Sequence, residues 1–204
     1  MAHSLRLVED RLAPGGRLEP AARARAAVLY LVSGSAAPLE RDRAWLQGGV
    51  VAAGPAGARI LRWELVRQPP SPAGGRVLCE HPLALDPRAA WLIRCDRVDF
   101  EPGAVAPPHG HKGGGIRCLL AGRLDVTVGG GAPRVMRPGD AWFESGREPV
   151  LAAAFRDEPA SFIRCAVLPA ELRGLSSIVY ADPAAAARAT PRRYTVFVDE
   201  PIRI

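Results

Sequence analysis

Short apolar runs broken by glycine and proline fill this chain, and the runs come twice in the same order. Residues 28–34 read Val-Leu-Tyr-Leu-Val-Ser-Gly, and residues 116–122 read Ile-Arg-Cys-Leu-Leu-Ala-Gly. Arg43-Ala-Trp45-Leu-Gln-Gly48 is answered by Asp140-Ala-Trp142-Phe-Glu-Ser-Gly146. Ala58-Arg-Ile-Leu-Arg62-Trp-Glu-Leu65, led in by Val50, is answered by Ser161-Phe-Ile-Arg164-Cys-Ala-Val167, led in by Val150. The copies lie about 100 residues apart, the length of one small β domain. Trp91–Phe100 alternates well in its second half and predicts a strand. Asp182-Pro183 before an alanine run predicts a short helix with an aspartate cap and proline in its first turn. Tyr194–Val198 reads as a closing strand at a sheet edge, and Gln68–Gly75, rich in proline, glycine and serine, reads as a linker.

Composition agrees with strands and turns. Of 204 residues, 21 are glycine and 20 proline, with 48% hydrophobic, which favours many short strands over long helices. The fold class expected is all-β. The formal net charge of +6 raises nucleic acid as a partner. Its arginines, however, are interleaved with acids and alanines and form no run, and no aromatic RNA-binding signature accompanies them, so no nucleic-acid partner is expected. The first ten residues lack the apolar core of a signal peptide, and no apolar run approaches a membrane span. Cys79, Cys95, Cys118 and Cys165 have no CxxC spacing and sit in apolar contexts, as reduced core thiols of a cytoplasmic protein would. Zinc ribbons, Ser-His-Asp arrangements, phosphate loops and dinucleotide fingerprints are absent from the sequence.

The candidate chemistry sits at Gly103-Ala-Val-Ala-Pro-Pro-His109-Gly-His111, followed by Gly115 and Gly122. Two histidines two apart on an extended segment point to one side, so both imidazoles can reach one point. Gly103 permits a sharp bend into the motif, and Gly122 stands where a tight hairpin would turn. These positions resemble the first motif of the cupin superfamily: Gly, five residues, His-x-His, three or four residues, Glu, six residues, Gly. The match holds at Gly103, His109, His111 and Gly122, and Gly115 takes the glutamate position. The second cupin motif (Gly, five residues, Pro-x-Gly, two residues, His) has its nearest counterpart from Gly139 to Pro149, with Glu144 for the proline and Pro149 for the histidine.

The resemblance implies a double-stranded β-helix, a jelly-roll-like barrel, in a bicupin-like chain with a partial N-terminal copy. The boundaries expected are 1–67 for that degenerate half, 68–90 for a linker, 91–180 for the C-terminal barrel, and 181–204 for a short helix and closing strand. It also implies a divalent transition metal (Fe, Zn, Ni or Mn), but two of the four family ligands are missing. Glu144 is the best substitute carboxylate, giving His109, His111 and Glu144 as a two-histidine, one-carboxylate set; alternatively Glu144 pairs with Arg147 on the surface. In the family register Arg117 points inward, where an unpartnered guanidinium is costly. It pairs either with Glu144 or with the carboxylate of a small anionic metabolite, Arg117 then being the substrate anchor. His81 reads as a partly buried structural residue and His3 as a disordered one. Arg62 and Arg164, present in both copies, read as structural, and Trp45 and Trp142 as core anchors. Two functions stay open: a metal-dependent oxygenase or isomerase acting on a carboxylate-bearing metabolite, and a non-catalytic ligand-binding or sensing protein that has lost the full metal site. Cupins commonly pair through their sheets, which implies a homodimer.

Overall fold

The computed structural model describes residues 2–21, 24–68, 74–180, 182–190 and 192–204. Among the described residues sixteen strands run in order. The first six are β1 (His3–Leu12), β2 (Arg17–Leu18), β3 (Ala24–Ala37), β4 (Ala44–Leu46), β5 (Val51–Arg67) and β6 (Arg76–Leu83). They form one sheet in the order β4-β3-β5-β1-β6, with β2 added to β5. The next ten are β7 (Trp91–Phe100), β8 (Val105–His111), β9 (Gly115–Ala121), β10 (Leu124–Val128), β11 (Arg134–Met136), β12 (Ala141–Glu144), β13 (Val150–Ala154), β14 (Ala160–Pro169), β15 (Ile178–Tyr180) and β16 (Arg192–Ile202). They make two five-stranded sheets, β12-β9-β14-β7-β16 and β11-β10-β13-β8-β15, closed face to face as a jelly-roll barrel. The helix α1 spans Pro183–Arg188, and the Asp182 carboxylate accepts from Ala184 N as its cap.

Strand alternation sorts the side chains into layers. On β7, β9 and β14 the odd set Ile93, Cys95, Cys165 and Ile163, with Ile116 and Cys118, packs outward against Leu5, Leu7, Leu61, Trp63 and Leu65 of the N-terminal sheet. The other set, Val98, Phe100, Leu119 and Phe162, packs inward against Leu124, Val126, Val150 and Ala152 of the second barrel sheet. In the N-terminal half, register shifts near Leu31 and Gly34 bend the long β3–β5 ribbon. Its two ends thereby enclose a small core of Leu29, Leu31, Ala36, Val51 and Ile60.

The repeated sequences occupy matching registers. Leu29 pairs with both Arg62 and Trp45, and Arg117 pairs with both Arg164 and Trp142. The strand order β4-β3-β5-β1-β6 also runs parallel to β12-β9-β14-β7-β16. The two sheets stack head to tail, β4 against β16 and β6 against β12.

Several expectations change. Arg76–Leu83 is a strand paired along β1, so the N-terminal half reaches Leu83 and much of the 68–90 linker is sheet; residues 69–73 of the Gln68–Gly75 linker lie outside the described residues. The tail does not stand apart from the barrel, since β16 pairs with β7 along its whole length. Gly122 is no hairpin: β9 pairs with β12 and β14, β10 with β11 and β13, so the chain turns a corner from one sheet to the other. His3 is buried on β1 instead of disordered, because β5 and β6 flank it on both sides. The thiols are free, with Cys95, Cys118 and Cys165 buried and Cys79 partly so.

Candidate functional site

The barrel pocket is built from both of its sheets. On β8 the side chains of His109 and His111 face inward, their rings edge to face with centroids 5.0 Å apart. Opposite them β9 contributes Arg117, and β12 contributes Trp142 and Glu144, all buried. Arg117 Nη2 lies 2.6 Å from Glu144 Oε2, Arg117 Nη1 donates to Gly115 O at 2.6 Å, and the Trp142 indole donates to Glu144 Oε1 at 2.8 Å. His111 Nε2 is 3.5 Å from Glu144 Oε2. Of the two anion partners open to Arg117, the structure provides the internal one, and Glu144 is not paired with Arg147.

These contacts fix the protonation states. Burial alone would raise the Glu144 carboxyl, but the Arg117 guanidinium, His111 and the Trp142 indole together outweigh it and hold the group at about 2. Burial pulls Arg117 down to about 10, with Glu144 opposing the drop, so it remains a cation at neutral pH. Burial also drives His111 down to about 3 and lowers His109, leaving two neutral imidazoles. His109 Nδ1 lies 2.8 Å from Pro107 O and therefore carries the proton, which leaves Nε2 as an acceptor.

The residues do not fit a metal as they stand. Both Glu144 oxygens are engaged, one by a cation, and a divalent ion beside Arg117 would meet an unscreened like charge. Among the described residues no group of three or more His, Cys, Asp or Glu is arranged to hold an ion. His109, His111 and Glu144 are brought together, but around Arg117. The glycine in the family's glutamate position opens no extra room: a Cβ on Gly115 would lie 2.8 Å from both Ala166 Cβ and Cys165 O.

Residues 96–163 match the family profile described as a cupin domain. The barrel has the fold of that domain. Solved structures agree on the fold. An oxalate decarboxylase from Bacillus subtilis superposes with a TM-score of 0.62 at 14% identity, over 88% of this chain and 71% of that one. The formate complex of an oxalate decarboxylase from Lactobacillus farciminis gives 0.62 at 14%, over 93% and 82%. A conserved protein of unknown function from Pseudomonas aeruginosa gives 0.55 at 14%, over 81% and 82%. No curated protein matches the sequence. No helix among the described residues is long and apolar enough to cross a membrane.

One cation at the mouth of the barrel pocket was not singled out by sequence reasoning. Arg192 on β16 pairs in register with Phe100, and Tyr194 with Val98, so both share the inward face of those residues. Arg192 donates to Val105 O at 3.1 Å, to Tyr194 Oη at 3.2 Å and to Tyr180 Oη at 3.3 Å. Its guanidinium carbon lies 5.8 Å from the Phe100 ring centroid. Among the described residues no carboxylate pairs with it. The alternation Arg192, Tyr194, Val196 was the available signal, but which face it takes depends on pairing with a strand about 90 residues earlier. His109 stands alongside, its ring 6.1 Å from that of Tyr180, and Arg192 is one of the charges that lower it. The enclosed part of the pocket is a cavity of about 20 Å³. The inner space takes a single water, given the roughly 10–15 Å³ each needs.

Proposed function

We propose that the protein binds a small carboxylate-bearing molecule at the mouth of its C-terminal cupin barrel, with Arg192 as the anion anchor and His109 Nε2 as an acceptor for a ligand hydroxyl. The observation that carries this is a partly buried guanidinium held by two tyrosine hydroxyls and a carbonyl with no carboxylate of its own among the described residues. Such a cation keeps its charge available to an incoming anion. Arg117, the anchor expected from the sequence, supports the site differently: its charge is met by Glu144, and the pair braces the pocket floor. The enclosed cavity has room for a single water, so the anion sits at the mouth against Arg192 rather than inside the barrel. We infer also that the two halves are copies of one unit in a bicupin arrangement, on the strength of the shared registers of Leu29 and Arg117.

Titration calorimetry in metal-free buffer with formate, oxalate and succinate tests the anchor. At least one should bind, and Arg192→Gln should weaken it by about tenfold or more, the loss of a charge-assisted hydrogen bond. Binding that survives Arg192→Gln would overturn the reading. The metal-dependent oxygenase or isomerase reading keeps one observation in its favour, the convergence of His109, His111 and Glu144 on one cavity. It requires Glu144 to leave Arg117. More than about 0.1 ion per chain in untagged protein, lost in His109→Ala, would favour it.

A further inference from the structure

A second concave site lies outside the barrel, at the end of the seam between the two halves. We propose that this groove binds a planar aromatic anion. Its volume is about 400 Å³, within the range of small-molecule sites, which favour such seams. The floor is aromatic. His81 on β6 stacks on Phe143 of β12, ring centroids 3.9 Å apart and planes within 6°. His81 is exposed, so with one face on Phe143 its other face is open to a further ring. Trp91 forms a side wall, its indole N–H tied to Asp86 O at 2.9 Å.

The rim is cationic. Lys112, the only lysine in the chain, and Arg147 both line the groove; among the described residues neither is in a close ion pair, although the charge of Arg147 acts on neighbouring Glu148. The one acid on the rim, Glu148, is engaged by the Ser145 hydroxyl. The two loops that carry these cations are tied to each other by His111 N to Gly146 O at 3.0 Å, and the first is tied to Ser177 O through Lys112 N at 2.9 Å. The glycines beside Lys112 let that loop press onto the floor: a Cβ on Gly114 would lie 2.9 Å from Leu83 Cδ2 and 3.1 Å from Phe143 Cζ. A flat stacking face with two cations on its rim favours a ring bearing a carboxylate or sulfonate. His111 is the wall shared with the barrel pocket, yet the recognition groups of the two sites are different residues.

The probe is 1-naphthoate, followed by calorimetry on the full chain, with cyclohexanecarboxylate as the anion without a ring face. The wild type should bind 1-naphthoate more tightly than cyclohexanecarboxylate, and His81→Ala and Lys112→Ala should each weaken it about fivefold. Both residues are exposed, so the fold is expected to persist, and unchanged melting checks it. Arg192→Gln should leave 1-naphthoate binding intact while removing the small carboxylates, so each proposal fails independently of the other. Absence of binding, equal affinity for the two probes, or loss of 1-naphthoate only in Arg192→Gln would overturn the groove.

Discussion

His111 and Glu144 sit side by side inside the barrel, and both titrate below their ordinary ranges. Burial keeps His111 neutral down to about 3, and Arg117 with the His111 and Trp142 contacts overrides burial to keep Glu144 ionised down to about 2. In acid the unfolded chain therefore binds protons at both positions before the folded one does, and stability falls with pH. The His111 window opens near 6.5 and closes near 3, and the Glu144 window runs from about 4.5 to about 2. Stability should be full above pH 7. Between pH 7 and pH 5 only the histidine windows are open for these groups, and His111 alone should remove about 2 kcal/mol. Urea unfolding at both pH values measures that loss, and His111→Gln should flatten it while the steeper fall below pH 4.5 remains. An unchanged slope in the variant would mean that His111 is not the neutral, buried imidazole described.

At the scale of elements, the corners between strands carry the repeat most tightly. Gly122 has φ +72°, and a Cβ there would lie 2.1 Å from Pro159 O; Gly34, its counterpart, has φ +81°, and a Cβ would lie 2.1 Å from Gly57 O. Gly130 has φ +73° with nothing within 4 Å. Alanine at Gly130 should cost only the left-handed backbone term, about 1 kcal/mol, whereas Gly34→Ala and Gly122→Ala should each cost more than about 2 kcal/mol because backbone must also move. Chemical denaturation of the three variants decides it; equal costs would show that the corners are not close-packed. The repeat is legible in the sequence because glycine, tryptophan and arginine recur at matching places, but the corner is not: the local pattern at Gly122 suggests a hairpin, and only the pairing of β9 and β10 with different sheets makes it a corner. Gly103 to His111 are legible, since local geometry alone puts both imidazoles on one side. The missed features depend on distant partners: β6 is a strand only because β1 has a free edge, Gly115 is closed off by Ala166, and Arg192 faces inward only through its register with Phe100. The Arg117 to Glu144 pairing stood as one of two outcomes, since strand alternation brings both inward but says nothing of a ligand.

For the whole molecule, the decisive surface is the one between the halves. The N-terminal sheet and the β7, β9, β14 face share one continuous core, and Trp63, fully buried within it, donates its indole N–H to Ile116 O at 3.1 Å. Neither sheet has another way to cover those apolar side chains, so the halves should unfold together. Trp63→Ala removes the largest side chain of that core and should cost about 3–5 kcal/mol. Far-ultraviolet circular dichroism follows strands of both halves, while thiol labelling read by mass spectrometry follows Cys95, Cys118 and Cys165, which are sealed in the β7, β9, β14 layer. In the wild type and in Trp63→Ala alike, the cysteines should become reactive at the same urea concentration at which the strand signal is lost, with both transitions displaced to lower urea in the variant. If the cysteines in Trp63→Ala react while most strand signal persists, the halves part before either unfolds. The barrel with its pocket would then be a separable unit leaning on its neighbour, and the groove, which needs His81 of the N-terminal half, would be lost as the halves part.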